Sequence, residues 1–205
     1  ESGLVQEVCV QRESRYSVVG NLYKGTVCRV LPGMQAAFVD VGLERTAFLH
    51  AHDILPTGDV PIGEEPAIQE LVHEGQEVLV QVVKDPLGTK GARLTTQLSI
   101  PSRYLVLLPY SRHVGISARI EDDAERTRLK QTLESVIAVE GATTGFIVRT
   151  AGEGASEEAL RADVQFLMKL WDSIRRSAKD APKASMVYGD LPMVMRILRD
   201  LMGTD

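Results

Sequence analysis

Cysteine is scarce in this chain, and the two cysteines present, Cys9 and Cys28, form neither a CxxC pair nor a metal-ligand spacing. A disulfide-stabilised miniprotein and a cysteine-based zinc site are therefore excluded. Each cysteine lies in a stretch of alternating apolar residues. We therefore expect two buried, reduced thiols, as in a cytoplasmic protein.

Long hydrophobic runs are missing as well, and without 18 consecutive apolar residues no membrane-spanning helix is predicted. The first residues, Glu1-Ser2-Gly3-Leu4, lack the basic segment that opens a signal peptide. The chain also begins without methionine. We therefore expect a trimmed part of a longer cytoplasmic protein.

An excess of basic residues is absent too. Lys and Arg number 23 against 28 Asp and Glu, which gives a formal net charge of −5. Nucleic-acid-binding proteins usually carry a basic excess, so composition by itself argues against that class. The hydrophobic fraction of 44% is that of a globular chain, which excludes a disordered one. A length of 205 residues allows one large domain or two small ones.

Residues 17–98 are predicted to form a small β-barrel. The segments with alternating, β-rich sequence are 18–30, 34–41, 46–50, 76–84 and 93–98. Five short strands with one long connection are typical of a Greek-key barrel of the OB type. The connection, residues 53–75, is rich in proline and acidic residues. We expect it to form a surface excursion that ends in a short helix near 67–73.

Residues 99–187 are predicted to form a mixed α/β region, so the fold class is α+β with several subdomains. We expect strands at 104–108, 114–120 and 145–150, and helices at 122–139 and 156–178. In the second helix the apolar residues recur at helical spacing, and Ser156 is the predicted N-cap.

The two ends of the chain fit neither region. A strand is predicted at 3–11, and a final helix at 191–201 carries an apolar stripe with little chain left to cover it. We expect segments 1–16 and 188–205 to pack together as a third unit that the rest of the chain interrupts. The alternative is two unrelated frayed ends.

Two phenylalanines are predicted to point outward from the barrel. Alternation along 36–41 places Ala37 and Val39 in the core, and Ala36 and Phe38 on the wetter face. Phe48 repeats this position on the next strand. Exposed aromatic rings on adjacent strands form a stacking platform for unpaired bases. The alternative is that both rings cover a second core layer or a contact between domains.

The loop 84–91 is a candidate phosphate contact. Glycines flank Thr89-Lys90, so Lys90 projects at the mouth of the barrel, where OB folds bind oligonucleotides. The GxxxxGK[ST] spacing of a P-loop is absent. The alternative is a solvated hairpin tip.

A second candidate phosphate site is Arg149-Thr150, where an apolar strand ends before a glycine-rich turn. A guanidinium binds a terminal phosphate with two hydrogen bonds, and a threonine hydroxyl donates to a third oxygen. The alternative is an ordinary ion pair at a strand end.

No catalytic constellation is predicted. His50, His52 and Asp53 suggest a metal site, but no further ligand is near them in the sequence, and we predict no metal there. Ser-His-Asp and nucleophilic cysteine arrangements are not found, and neither is the acidic cluster of a two-metal nuclease.

Four long segments resemble, in order, the ribonuclease E/G family of bacterial endoribonucleases. They are NLYKGTVCRVLPGMQAAFVDVGLERTAFLHAHDI at 21–54, VQVVKDPLGTKGARLTTQLSIPSRYLVLLP at 80–109, HVGISARIE at 113–121 and GFIVRTAGEG at 145–154. The match covers essentially the whole chain. The strings PGMQAAFVD and KDPLGTKGARLTT are more similar to the G branch of the family than to the E branch.

The resemblance implies a domain order and a set of binding residues. Residues 17–98 are an S1 RNA-binding domain and residues 99–187 a 5′-sensor region, inserted in an RNase H-like subdomain split between 1–16 and 188–205. The family's RNA-binding residues fall on Phe38, Phe48 and Lys90. Its 5′-monophosphate pocket falls on Arg149, Thr150, Val106, Ser102 and Arg119.

Two departures from the family pattern qualify this resemblance. The family often has Ser-Arg-Arg where this chain has Ser117-Ala118-Arg119, so either Arg119 substitutes for the missing arginine or the pocket is weaker. The family's Mg²⁺-binding catalytic aspartates and Zn²⁺-binding cysteines lie in motifs that this sequence does not contain.

The implied protein is the N-terminal, substrate-recognition part of a Mg²⁺-dependent endoribonuclease for RNA processing and decay. The part present is inactive by itself and holds no cofactor. Its partner is single-stranded RNA with a 5′-monophosphate, and the complete enzyme is a homo-oligomer. The alternatives are a stand-alone S1-type RNA-binding or assembly module, and an OB domain that binds protein.

Overall fold

The computed structural model describes residues 17–56 and 66–201. The first unit is a closed barrel whose strands are β1 (Leu22–Leu31), β2 (Ala36–Asp40), β3 (Ala47–His50), β4 (Glu77–Lys84) and β5 (Arg93–Thr95). The strand order is β1-β2-β3-β5-β4, and β4 pairs again with β1 to close the barrel. The β3–β5 pair is parallel, and the other pairs are antiparallel. The predicted OB-type barrel is confirmed.

Period-two alternation builds the barrel core. Ala37 and Val39 on β2 and Ala47 and Leu49 on β3 are fully buried, while Phe38 and Phe48 between them stay partly exposed. The long connection ends in the expected short helix, α1 (Ile68–Leu71), and Ile68 joins the barrel core. Residues 57–65 of that connection lie outside the described residues.

Two burial predictions for the barrel are wrong. Ala36, expected on the wetter face, is fully buried. The neighbouring Gln35 accepts hydrogen bonds from Ala51 and Ile68, which draws two following segments over this end of β2. Cys28 is exposed, because it alternates with the buried Val27 on β1. Cys9, the other predicted buried thiol, lies outside the described residues.

The second unit is a four-stranded sheet covered on one face by two helices. Its strands, in sheet order, are β6 (Ile100–Pro101), β7 (Leu105–Leu108), β9 (Gly145–Val148) and β8 (Val114–Ile116). The helices are α2 (Asp123–Glu140) and α3 (Glu157–Asp180). Leu107, Phe146 and Val148 pack against both helices in one core. β6 was not predicted, and β8 is shorter than expected because Ile120 closes a turn on Ser117.

The two long helices follow the predicted pattern. Ser156 caps α3, since its hydroxyl accepts a hydrogen bond from the Ala159 N–H at 3.2 Å. The buried residues of α3 are Leu160, Val164, Leu167, Trp171 and Ile174. Trp171 also meets Tyr110 edge to face. The two helices therefore seal the core of the second unit.

An unpredicted strand joins the two units. β10 (Ser185–Tyr188) pairs antiparallel with the first residues of β1, which thereby holds partners on both sides. Glu77 of the barrel binds Lys183 and Lys24, and these bonds, that of Lys183 first, hold the pKa of its carboxyl below the ordinary value. The barrel is thus tied to the chain that follows α3.

The last described element is α4 (Met193–Leu201), which confirms the predicted final helix. Its apolar residues Val194 and Leu198 are exposed. The strand predicted at 3–11, its expected partner, lies outside the described residues.

The domain boundaries predicted at 16, 98 and 187 stay predictions. Within residues 17–56 and 66–201, no helix has the length and apolar character needed to cross a bilayer.

Candidate nucleic-acid interface

Phe38 and Phe48 lie side by side on the outer face of the barrel. They are direct partners in the β2–β3 ladder, so their side chains leave the sheet together. Their ring centroids are 6.2 Å apart and their planes make an angle of 68°. Both residues are half-buried. This leaves aromatic surface available for stacking.

Two histidines continue this aromatic surface. The ring of His50 lies 6.3 Å from that of Phe48, and the ring of His52 stacks on His50 at 4.9 Å, with only 4° between their planes. The described residues hold no group of three or more His, Cys, Asp or Glu placed to bind a metal ion.

The loop that carries Lys90 is a short hairpin fixed against β3. Leu87 and Lys90 exchange two backbone hydrogen bonds across the turn, and Lys90 is exposed. A Cβ atom at Gly91 would lie 1.9 Å from the carbonyl oxygen of Thr46, so this position accepts only glycine. The chain then runs beside Phe48, whose N–H donates to the Ala92 carbonyl at 2.7 Å.

Arg45 is a residue of this interface that sequence reasoning missed. Its guanidinium donates a hydrogen bond to the carbonyl of Gly88 at the tip of the Lys90 hairpin. The β2–β3 connection therefore holds the hairpin in place. No local sequence pattern predicts such a bond, because the two residues are 43 positions apart in the sequence.

Arg149 and Thr150 lie at the end of β9, in the second unit. The Nη1 atom of the half-buried Arg149 donates to the carbonyls of Ser102 and Arg103, at 2.6 and 3.1 Å. The exposed Thr150 hydroxyl lies 3.1 Å from the Ser117 hydroxyl. Ser117 in turn accepts a hydrogen bond from the N–H of Arg119, whose side chain is exposed. The structure thus brings two turns together, the one after β9 with Arg149 and Thr150 and the one after β8 with Ser117 and Arg119.

Gly152 lets the turn after β9 close tightly. A Cβ atom there would lie 2.7 Å from a methyl group of Val148 and 3.2 Å from the carbonyl oxygen of Tyr104. The residues 150–152 form a single turn of 3₁₀ helix against this surface. Thr150 is therefore presented on a rigid support and not on a free loop.

Ser102 and Val106 take different positions. The hydroxyl of the buried Ser102 donates to Asp163 of α3 at 2.6 Å, so its side chain turns inward and only its carbonyl meets Arg149. Val106 is half-exposed on β7, opposite Ile147 in the ladder. It lies on the sheet face away from the two helices, since its neighbours Leu105 and Leu107 are the buried residues.

Asp163 is the second residue that sequence reasoning missed. Besides the Ser102 hydroxyl, its carboxylate accepts the backbone N–H groups of Tyr104 and Leu105, at 2.8 and 3.1 Å. It thereby fixes the turn that bonds to Arg149. A signal existed in the sequence, because an acid directly before Val164 interrupts the apolar stripe of α3.

Glu125 of α2 fixes the turn that carries Thr150. Arg128 binds its carboxylate with two nitrogens at 2.6 and 2.7 Å, and the N–H of Gly154 donates to it at 2.8 Å. These bonds, the arginine first, lower the pKa of Glu125 from its ordinary 4.5 to about 2. The first turn of α2 is thus tied to the loop that follows Thr150.

A closed OB-type barrel with paired aromatic rings on its outer face is typical of proteins that bind single-stranded nucleic acids. Comparison with known proteins agrees with this class. Residues 18–96 match the S1 RNA binding domain. Residues 99–205, just over half of the chain, match the Ribonuclease E/G family. The chain belongs to the ribonuclease E/G family and carries an S1 RNA-binding domain.

Several curated relatives extend this result. The chain is 52% identical to "Ribonuclease G" of Haemophilus influenzae and 50% identical to that of Escherichia coli, over 100% and 98% of its length. It is 43% identical over 90% of its length to "Ribonuclease E" of Escherichia coli. It spans 42% of either ribonuclease G and 18% of the ribonuclease E.

One solved structure is a more distant likeness. A chain from the a/eIF2alpha–aDim2p–rRNA complex of Pyrococcus horikoshii OT3 aligns with 81% of this chain and 83% of its own. The sequence identity is 17% and the TM-score is 0.31.

Proposed function

We propose that this chain is the substrate-recognition part of a cytoplasmic bacterial endoribonuclease that acts in RNA processing and decay. The observation that carries the proposal is the Phe38–Phe48 pair on the outer face of an S1 barrel. Single-stranded RNA lies across this pair and stacks its bases on the two rings. Lys90 contacts the phosphate backbone beside them.

The 5′ end of the RNA binds at Arg149 and Thr150. Arg149 carries a permanent charge in an orientation fixed by two backbone carbonyls, and Thr150 offers a hydroxyl next to it. A terminal monophosphate forms charge-assisted hydrogen bonds with both groups. Arg119 lies on the neighbouring turn, where its N–H donates to the Ser117 hydroxyl beside Thr150, and it supplies a second cation where the family often has two arginines. A bulkier triphosphate fits this arrangement poorly.

RNA is cleaved by a part of the enzyme that the relatives contain outside the region that this chain matches. The described residues hold no group of three or more His, Cys, Asp or Glu placed to bind Mg²⁺ or Zn²⁺. We propose that the complete enzyme is a Mg²⁺-dependent homo-oligomer, with any Zn²⁺ at a link between subunits. The purified chain is expected to bind RNA without cutting it.

The decisive experiment measures binding of short single-stranded RNA by fluorescence anisotropy. Phe38→Ala and Phe48→Ala are each expected to weaken binding about tenfold, since a base stacked on an aromatic ring contributes ~1–3 kcal/mol. Phe166→Ala is the matched control, because Phe166 is an exposed phenylalanine of α3. Unchanged affinity in both barrel variants would contradict the proposal and favour an OB domain that binds protein.

A further inference from the structure

The sheet of the second unit has a half-exposed apolar face beside the proposed 5′-end site. Val106 and Ile147 are partners in the β7–β9 ladder, and Ile147 and Gly115 are partners in the β8–β9 ladder. All three therefore lie on the face away from the two helices, and each is half-buried. Arg149 follows Ile147 by two residues and lies on this same face. Two residues of a strand span about 7 Å, a distance that one nucleotide bridges from its phosphate to its base.

His113 lies on this face because two glycines leave room for it. A Cβ atom at Gly115 would lie 3.0 Å from Nε2 and 3.3 Å from Cδ2 of the His113 ring. A Cβ atom at Gly145 would lie 2.6 Å from the carbonyl oxygen of His113 and 2.9 Å from its backbone nitrogen. The backbone of His113 thus crosses Gly145, and its imidazole lies on Gly115. A side chain at either glycine would displace it.

The backbone of His113 is fixed, while its side chain remains accessible. Its N–H donates to the Ser111 hydroxyl at 3.0 Å, and its carbonyl accepts from the Phe146 N–H at 2.9 Å. The residue is nevertheless exposed. The Cβ position at Gly115 also lies 3.4 Å from Cγ1 of Ile147, so the imidazole and the Ile147 side chain meet beside this glycine. An aromatic ring and an aliphatic side chain together form a surface on which a base can pack.

We propose that His113 holds the first nucleobase of a 5′-monophosphorylated RNA. With its phosphate at Arg149 and Thr150, the first nucleotide extends along β9, and its base packs on Ile147 and stacks against the imidazole of His113. Every base has a π face, so this contact holds any of the four bases. The inference rests on the proposed function, because it requires the 5′-phosphate to bind at Arg149.

The test compares two 5′-monophosphorylated decauridylates by fluorescence anisotropy, one intact and one whose first nucleotide lacks its base. The parent is expected to bind the intact RNA about fivefold more tightly. His113→Ala should bind the two RNAs equally, whereas His113→Phe keeps a stacking ring and should keep the fivefold ratio. His73→Ala is the matched control and should also keep it, since His73 is an exposed histidine on the chain leading into β4.

The outcomes separate this inference from the proposed function. If Arg149→Ala loses the preference for a 5′-phosphate but His113→Ala keeps the fivefold ratio, the base contact is wrong and the proposed function stands. A parent that binds both decauridylates equally would also overturn the base contact. If Arg149→Ala, Phe38→Ala and Phe48→Ala all bind RNA as the parent does, the proposed function fails as well. Equal losses in His113→Ala and His113→Phe would identify a structural role and overturn stacking.

Discussion

The side chain of Arg149 is bound by backbone carbonyls and is also the proposed phosphate ligand. Its Nη1 atom binds the carbonyls of Ser102 and Arg103, which fixes the orientation of the guanidinium plane. A guanidinium carries five N–H donors in a rigid fork, whereas an ammonium carries three on a flexible stem. The proposed recognition of a phosphate at this position therefore requires arginine specifically.

Arg149→Ala is expected to abolish the preference for 5′-monophosphate over 5′-hydroxyl RNA, a change of about tenfold in the affinity ratio. Arg149→Lys should restore only part of it, because one ammonium cannot satisfy two carbonyls and a phosphate together. Competition binding with the two RNA ends measures the ratio. Arg112→Ala is the control, since Arg112 is exposed beside the opposite end of β9. A parent-like ratio in Arg149→Ala would remove the 5′-end role.

At the scale of the elements, α3 supports the proposed 5′-end site through one carboxylate. Asp163 accepts three hydrogen bonds from the residues 102–105. Removing it leaves partly buried donors without a partner, which costs more than the bonds themselves contribute. The helix thus positions a turn that belongs to another part of the chain.

Asp163→Ala is expected to lower the free energy of unfolding by about 2–3 kcal/mol. Asp163→Asn should cost less, since an amide oxygen can still accept some of these bonds. Urea unfolding followed by circular dichroism measures both values. A loss below about 0.5 kcal/mol in the alanine variant would show that water satisfies the donors.

α2 is tied to the Thr150 turn by a bond that acid should break. The pKa of Glu125 is about 2 in the folded state, below its ordinary 4.5. A lowered carboxyl pKa stabilises the fold fully above the ordinary pKa, and this stability is lost as the pH falls from 4.5 through about 2.

The thermal midpoint of Glu125→Gln is therefore expected to lie below that of the parent at pH 6. The difference between the two thermal midpoints should narrow steadily as the pH falls from 4.5 to 2. Glu134→Gln, an exposed glutamate on the same helix, is the control and should show no such convergence. A gap that stays constant with pH would mean that the carboxylate charge does not hold the loop.

At the scale of the whole molecule, net charge is a poor guide to function. The chain carries a net charge of −5 and yet contains an S1 RNA-binding domain. Many of the acids of the barrel region lie in the 53–75 connection. The proposed contacts are instead aromatic rings and a few placed cations.

The salt dependence of RNA binding is therefore expected to be shallow. A single-stranded site that neutralises two phosphates gives a slope of about −1.4 in a plot of log affinity against log salt concentration. Lys90→Ala should reduce the magnitude of that slope by about 0.7, and Lys130→Ala on α2 should leave it unchanged. Titrations at several salt concentrations measure it. A slope steeper than about −4 would indicate a broad basic surface elsewhere.

The chain by itself determined those features that depend on periodicity and near neighbours. Alternation fixed the barrel strands and the outward position of Phe38 and Phe48, and helical spacing fixed α2, α3 and their buried stripes. These patterns work because each side chain faces core or solvent according to its place in one regular element.

Only the tertiary structure decided which distant residues meet. β10 pairs with β1 across more than 150 positions, Asp163 reaches Ser102 across 61, and Arg45 reaches Gly88 across 43. The His50–His52 stack depends on a turn that bends the chain after β3. Such contacts follow from how elements pack, and no local periodicity encodes that packing.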